Sequence, residues 1–131
     1  MRLPFSKRTF ILLAIAWTIT LVIGLSLPRG AVPDLGGLFD FDKLIHAAIF
    51  ACFAGLWLLG TRGPWWPRAG GVLLAAIVLA FGTEWLQGAL RGGRTPDLYD
   101  AIADIIGASV VMIVHGFLWH LRQWKLKKQQ A

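Results

Sequence analysis

Thr9 to Leu27 runs for nineteen residues without a charged side chain. About twenty apolar residues in an α-helix cross the roughly 30 Å of bilayer hydrocarbon. Three more apolar stretches follow, and they predict four membrane-spanning helices at about 9–27, 42–60, 70–90 and 98–121, with a basic, polar tail over 122–131. A hydrophobic content of 56% and a mean hydropathy of +0.63 over 131 residues agree, being too apolar for an ordinary soluble domain. The fold class is therefore an all-α polytopic membrane protein, a single transmembrane domain over 1–131 built as a small four-helix bundle.

The breaks between these stretches carry turn chemistry. Pro28 to Phe41 holds two prolines and three glycines and reads as a loop. Thr61 to Ala69, with Gly63, Pro64 and Pro67, reads as a second loop, and Gly92, Gly93 and Pro96 mark the third turn. Asp97 is placed to cap the fourth helix, where a carboxylate accepts from free backbone amides. Arg2, Lys7 and Arg8 resemble the start of a signal peptide, but the apolar run is longer than a signal core and no small-x-small site follows. An uncleaved anchor is expected.

Charge is sorted along the chain. The N-terminus, the loop between helices two and three, and the tail hold nine of the thirteen basic residues. By the positive-inside rule these segments, and both termini, are expected in the cytoplasm. All seven acidic residues, Asp34, Asp40, Asp42, Glu84, Asp97, Asp100 and Asp104, then fall on the opposite side or in its half of the membrane. The net charge of +6 does not indicate nucleic acid, because the basic residues flank apolar segments and are not gathered on one water-facing surface. Trp57, Trp65, Trp66, Trp119 and Trp124 are expected as an interfacial belt, and His115 and His120 as packed or interfacial side chains. The single cysteine, Cys52, lies inside an apolar run and is expected to be buried packing.

Glu84 to Gly107 carries the polar residues that an apolar bundle does not need. Ionisable groups at membrane depth cost several kcal/mol unless paired or hydrated, so they mark a functional site by default. Asp42 and His46 share a face of helix two, as Glu84 and Gln87 do of helix three and Asp97, Asp100 and Asp104 of helix four. At about 1.5 Å per residue, His46, Glu84 and Asp104 reach similar depth in the outer leaflet. Small residues favour close approach: Ala47, Ala51 and Gly55 on helix two, Ala76, Ala80 and Gly88 on helix three, and Gly107 just below Asp104. One polar pocket opening outward is expected.

These residues, in this order, resemble the VanZ-like family of small bacterial membrane proteins, named after a protein associated with resistance to the glycopeptide teicoplanin. The matching pieces are Asp42, Lys43 and His46 as D-K-x-x-H, Glu84 and Gln87 as E-x-x-Q, and Arg94, Asp100 and Gly107 within R-x5-D-x3-N-x2-G. Asp104 stands where the family pattern has asparagine. The resemblance covers about half the chain and implies a place in the bacterial cytoplasmic membrane, at the cell envelope.

Several functions fit these residues. His46 with Asp42, Glu84 and Asp104 is a set of titratable groups suited to acid/base chemistry in a partly dry pocket, while Lys43 and Arg94 suit a phosphate or carboxylate. The candidate catalytic residues are His46, Glu84, Asp100 and Asp104, and the candidate substrate-binding residues are Asp42, Lys43, Gln87 and Arg94. The expected ligand is an anionic lipid-linked or glycopeptide-related envelope molecule, such as a peptidoglycan precursor, recognised and, less directly, modified. The alternative is a non-enzymatic protein whose charges form a structural ion-pair network or a binding site for an antibiotic or partner. His46, Glu84, Asp100 and Asp104 also offer a donor set acceptable to zinc or manganese, but their spacing is not diagnostic, so no metal and no cofactor is assigned. Whether the chain is an enzyme, and whether it self-associates, stays open at this level.

Overall fold

Ser6 starts the first helix: its Oγ accepts from the Thr9 backbone amide at 3.2 Å, satisfying one of the donors that a helix start leaves unpaired. The structure is a computed structural model that describes residues 6–26, 42–90 and 97–130, without the side chains of Ser26, Asp42, Gln87 and Leu90. It contains α1 (Lys7–Ser26), α2 (Asp42–Gly60), α3 (Trp65–Leu90) and α4 (Leu98–Gln130), and the described residues include no strand. Each helix is long and apolar enough to cross a membrane. The chain is thus an all-α, multi-pass membrane protein.

Two boundaries differ from the sequence expectation. The loop after α2 is only residues 61–64, and α3 begins at Trp65 rather than at position 70. Pro67 falls in the first turn of α3, where a missing N–H costs nothing. Gly63, at a φ of 118°, makes the turn. Arg68 reaches back from α3 to donate to the carbonyls of Leu58 and Gly63 and to Thr61 Oγ1, closing the end of α2. At the other end of the chain, residues 122–130 continue α4 instead of forming a tail. No glycine or proline interrupts this stretch, its lysines, glutamines and leucine are good helix formers, and Lys127 and Lys128 complement the negative end of the dipole. At 33 residues α4 is about 50 Å long, so it must project beyond the hydrocarbon.

Side-chain contacts give the helix directions. Trp57 on α2 donates to Thr18 Oγ1 on α1 at 3.2 Å, and a Cβ at Gly60 would lie 2.9 Å from Ile11, so the two helices run antiparallel. Trp65, at the start of α3, stacks on His115 midway along α4, while Glu84, near the end of α3, accepts from the Asp97 amide at the start of α4. These helices are antiparallel as well. By contrast α2 and α4 run parallel, with Lys43, His46 and Ala47 meeting Asp100, Asp104 and Gly107 in order. The start of α1 and the end of α4 therefore lie at the same end of an up-down-up-down bundle.

Each helix buries one stripe. Phe10, Ala14 and Leu21 line it on α1, Phe50, Phe53, Ala54 and Leu58 on α2, and Ala69, Val72, Ala76 and Ala80 on α3. Large apolar side chains such as Leu12, Leu44, Leu74 and Ile113 point outward, as expected where lipid is as apolar as the protein interior. Cys52 is exposed on this outer surface, contrary to the expectation of buried packing. Phe50, Phe53 and Ala54 define the inner arc of α2, and position 52 falls outside it. The tryptophans also divide. Trp66 and Trp124 are exposed, but Trp65 is buried against Gly116 and His115, with its ring 5.2 Å from the imidazole. Gly116 leaves room for that indole, which makes Trp65 part of the interior rather than of a belt.

Candidate functional site

Gly107 brings α2 and α4 together. A Cβ there would run into the Ala47 carbonyl and lie 2.7 Å from Ala47 Cα, so only glycine permits this approach. One turn before Gly107 is Asp104, and one residue before Ala47 is His46. The close crossing therefore presses their side chains together: His46 Nδ1 and Asp104 Oδ1 are 3.0 Å apart, and both residues are buried.

One turn earlier on α4, Asp100 is also buried and accepts from Lys43 Nζ at 3.1 Å. Lys43 spans to Asp97 at 3.5 Å and keeps about half of its side chain, 55%, exposed. Its ammonium also lies 5.8 Å from the centre of the Tyr99 ring. Glu84 enters from α3, at the end of the small-residue stripe through Ala76 and Ala80. Its Oε2 accepts from the Asp97 backbone amide at 2.9 Å, while Asp97 Oδ1 accepts from the Tyr99 amide at 2.9 Å and caps α4. Asp97 thus couples the start of α4 to both Glu84 and Lys43, a bridging role that its reading as a helix cap alone does not reveal.

The structure brings His46, Glu84, Asp100, Asp104 and Lys43 into one cluster. A His46 ring nitrogen and single carboxylate oxygens of Glu84 and Asp100 all lie within 4.8 Å of one another. Two oxygens of these residues, Glu84 Oε1 and Asp104 Oδ2, are buried without a hydrogen-bond partner. The side chains of Asp42 and Gln87, and Arg94 entirely, lie outside the described residues.

A cleft of about 330 Å³ between α3 and α4 reaches this cluster, lined by Phe81, Glu84, Trp85, Asp97, Leu98 and Ala101. Its walls are apolar, and Phe81, Trp85 and Leu98 are exposed on the outer surface of the bundle. Its polar lining consists of the two carboxylates, Glu84 and Asp97. At the opposite end, a larger cleft of about 670 Å³ runs past Thr18, Trp57, Thr61 and Arg68. Arg68 is occupied there with the carbonyls that end α2. His115 is stacked on Trp65 and packs its aromatic face, as expected of a histidine away from the cluster.

Among the described residues the cluster sets four carboxylates, Glu84, Asp97, Asp100 and Asp104, against Lys43 and the titratable His46. Such a set can hold a cation, or move a proton between an imidazole and a carboxylate. Fold and cluster together define a four-helix multi-pass membrane protein with a buried, acid-rich polar site at one end of its bundle. Comparison with protein-family models, with curated proteins and with solved structures finds no match.

Proposed function

We propose that the chain is a protein of the bacterial cytoplasmic membrane that recognises, and goes on to modify, an anionic lipid-linked envelope molecule at its polar cluster. The supporting observation is the cleft between α3 and α4, which joins an apolar, outward-facing wall of Phe81, Trp85 and Leu98 to the buried carboxylate of Glu84. An amphipathic lipid fits this arrangement, with its chain along the wall and its headgroup at the cluster. Such a ligand reaches the site sideways from the bilayer.

In this reading the cluster faces outward and both termini are cytoplasmic. The basic residues at the starts of α1 and α3 and at the end of α4 occupy the end opposite the cluster, as the positive-inside rule requires. The order Asp42-Lys43-His46, Glu84-Gln87 and Asp100-Gly107 resembles the VanZ-like family, which supports an envelope role related to glycopeptides. His46 and Glu84 line the inner end of the site, and Lys43 holds Asp100 and Asp97 at the mouth. The described carboxylates repel an anion, so the headgroup engages them across a cation.

Retention of a long-chain polyprenyl phosphate tests this. Protein in phosphatidylcholine nanodiscs doped with that lipid is purified, and the co-purifying lipid is measured by mass spectrometry. Wild-type protein is expected to enrich the phosphate over phosphatidylcholine, and Trp85→Ala and Glu84→Gln to lose the enrichment while remaining folded. Equal enrichment in all three proteins, or none in wild type, contradicts the proposal.

The competing reading is a structural ion-pair network, favoured by the Lys43 bridge to Asp97 and Asp100. Charge counts against it, because among the described residues the carboxylates of the cluster outnumber its cations, and carboxylates left in excess destabilise the bundle they would close.

A further inference from the structure

We infer that the cluster is a binding site for one divalent first-row metal ion, Mn²⁺ or Zn²⁺, ligated by His46, Glu84 and Asp100. The inference stands on the geometry of the cluster and does not depend on which lipid, if any, enters the cleft.

The three donor atoms come from three helices, α2, α3 and α4, and lie within 4.8 Å of one another with all three residues buried. Metal–nitrogen and metal–oxygen bonds of about 2.0–2.2 Å place the ligand atoms of a tetrahedral site about 3.4 Å apart, so side-chain rotations that draw the three donors inward bring this set to bonding distance. One imidazole with two carboxylates suits Mn²⁺ or Zn²⁺ better than Mg²⁺ or Ca²⁺, which prefer oxygen alone. Asp104 takes the His46 Nδ1 contact. With Nε2 on the metal this is the carboxylate–histidine–metal order that fixes imidazole tautomer and orientation at many protein metal sites.

A second observation points to a ligand independently of the spacing. Glu84 is 4% exposed, and its Oε1 is buried without a partner although its Oε2 is bonded to Asp97. Buried polar atoms in folded proteins are nearly always satisfied. A cation satisfies the oxygen and offsets the excess of carboxylates together. The cleft beside Glu84 and Asp97 supplies the entry path.

The test uses the full chain in detergent micelles, with any purification tag removed and resident metal stripped by a chelator. Zn²⁺ and Mn²⁺ are added separately, and bound ion is measured by elemental analysis alongside the thermal unfolding midpoint. Wild type is expected to bind one ion of at least one of these metals per chain, with a higher midpoint when loaded. Asp104→Asn should weaken binding by about 10–100-fold, as loss of an outer partner does. Glu84→Gln and Asp100→Asn should weaken it by at least about tenfold while their stripped forms stay folded, and His120→Ala, which alters an exposed imidazole, should bind as wild type does. Absence of bound ion in wild type overturns the inference. Undiminished binding in both Glu84→Gln and Asp100→Asn does so too, by showing that the metal sits elsewhere.

Discussion

Gly107→Ala is expected to destabilise the folded protein strongly and to separate His46 from Asp104. The added methyl would meet the backbone of Ala47, with Ala47 Cα at 2.7 Å and its carbonyl nearer still. A backbone inside a helix cannot turn aside as a side chain can, so α2 and α4 must move apart. Overpacking of this kind costs about 1–3 kcal/mol, and the rigidity of both partners places it at the upper end. Trimming the neighbour offers no relief: Ala47→Gly combined with Gly107→Ala should stay as unstable as the single variant, because the clash is with main chain. Gly82→Ala is the control. A Cβ at Gly82 meets nothing within 4 Å, and alanine is the better helix former by up to about 1 kcal/mol, so that variant should be at least as stable as wild type. Unfolding in mixed detergent micelles reads all three.

Asp104→Ala has the other large expected effect. Asp104 is fully buried and His46 nearly so, at 0% and 6% exposure. Removing the carboxylate leaves His46 Nδ1 without that partner and opens a cavity at the tightest crossing in the bundle. Leaving a buried polar atom without its partner costs about 1–3 kcal/mol, the cavity adds to it, and the same unfolding measurement should show a loss of at least that order. Asp104→Asn keeps an acceptor for the imidazole and should lose much less. Lys43→Ala should cost less than Asp104→Ala, since the lysine is half exposed and solvent screens its bridge to Asp97, but it leaves buried Asp100 without this partner and so still lowers stability.

Much of this architecture was legible in the residues. Helix two runs from Asp42 to Gly60 as expected, because an apolar stretch bounded by charges and by a Gly-Thr-Arg-Gly-Pro turn has few alternatives. Depth counting brought His46, Glu84 and Asp104 to one level, and the structure gathers them with Asp100. Gly107 stood out as a site of close packing. Its partner, the Ala47 carbonyl, depends on the relative register of two helices far apart in sequence, which no local pattern encodes.

Other features failed for similar reasons. Trp65 was read by type as an interfacial side chain, but a glycine half a chain away, Gly116, opens a slot for it. Cys52 was read by its apolar surroundings, whereas the arc buried on α2 decides its exposure. Pro67 suggested a break, yet at the first turn of α3 it is tolerated. Asp97 shows the limit most clearly: its cap on Tyr99 is local, but the hydrogen bond that its backbone N–H donates to Glu84 exists only because α3 and α4 lie side by side.

The central claim is that the buried carboxylates of Glu84 and Asp100 serve a ligand rather than hold the bundle closed. The most direct measurement is the unfolding free energy of Glu84→Gln and Asp100→Asn beside wild type, in chelator and without added lipid. Each substitution keeps size and one acceptor oxygen, turns the other into a donor that the neighbouring carboxylates can accept, and removes one negative charge from an acid-rich cluster, so both variants should be as stable as wild type or more so. A loss of about 3–5 kcal/mol in both, the cost of breaking a buried ion pair, would show that the cluster is structural and contradict the account.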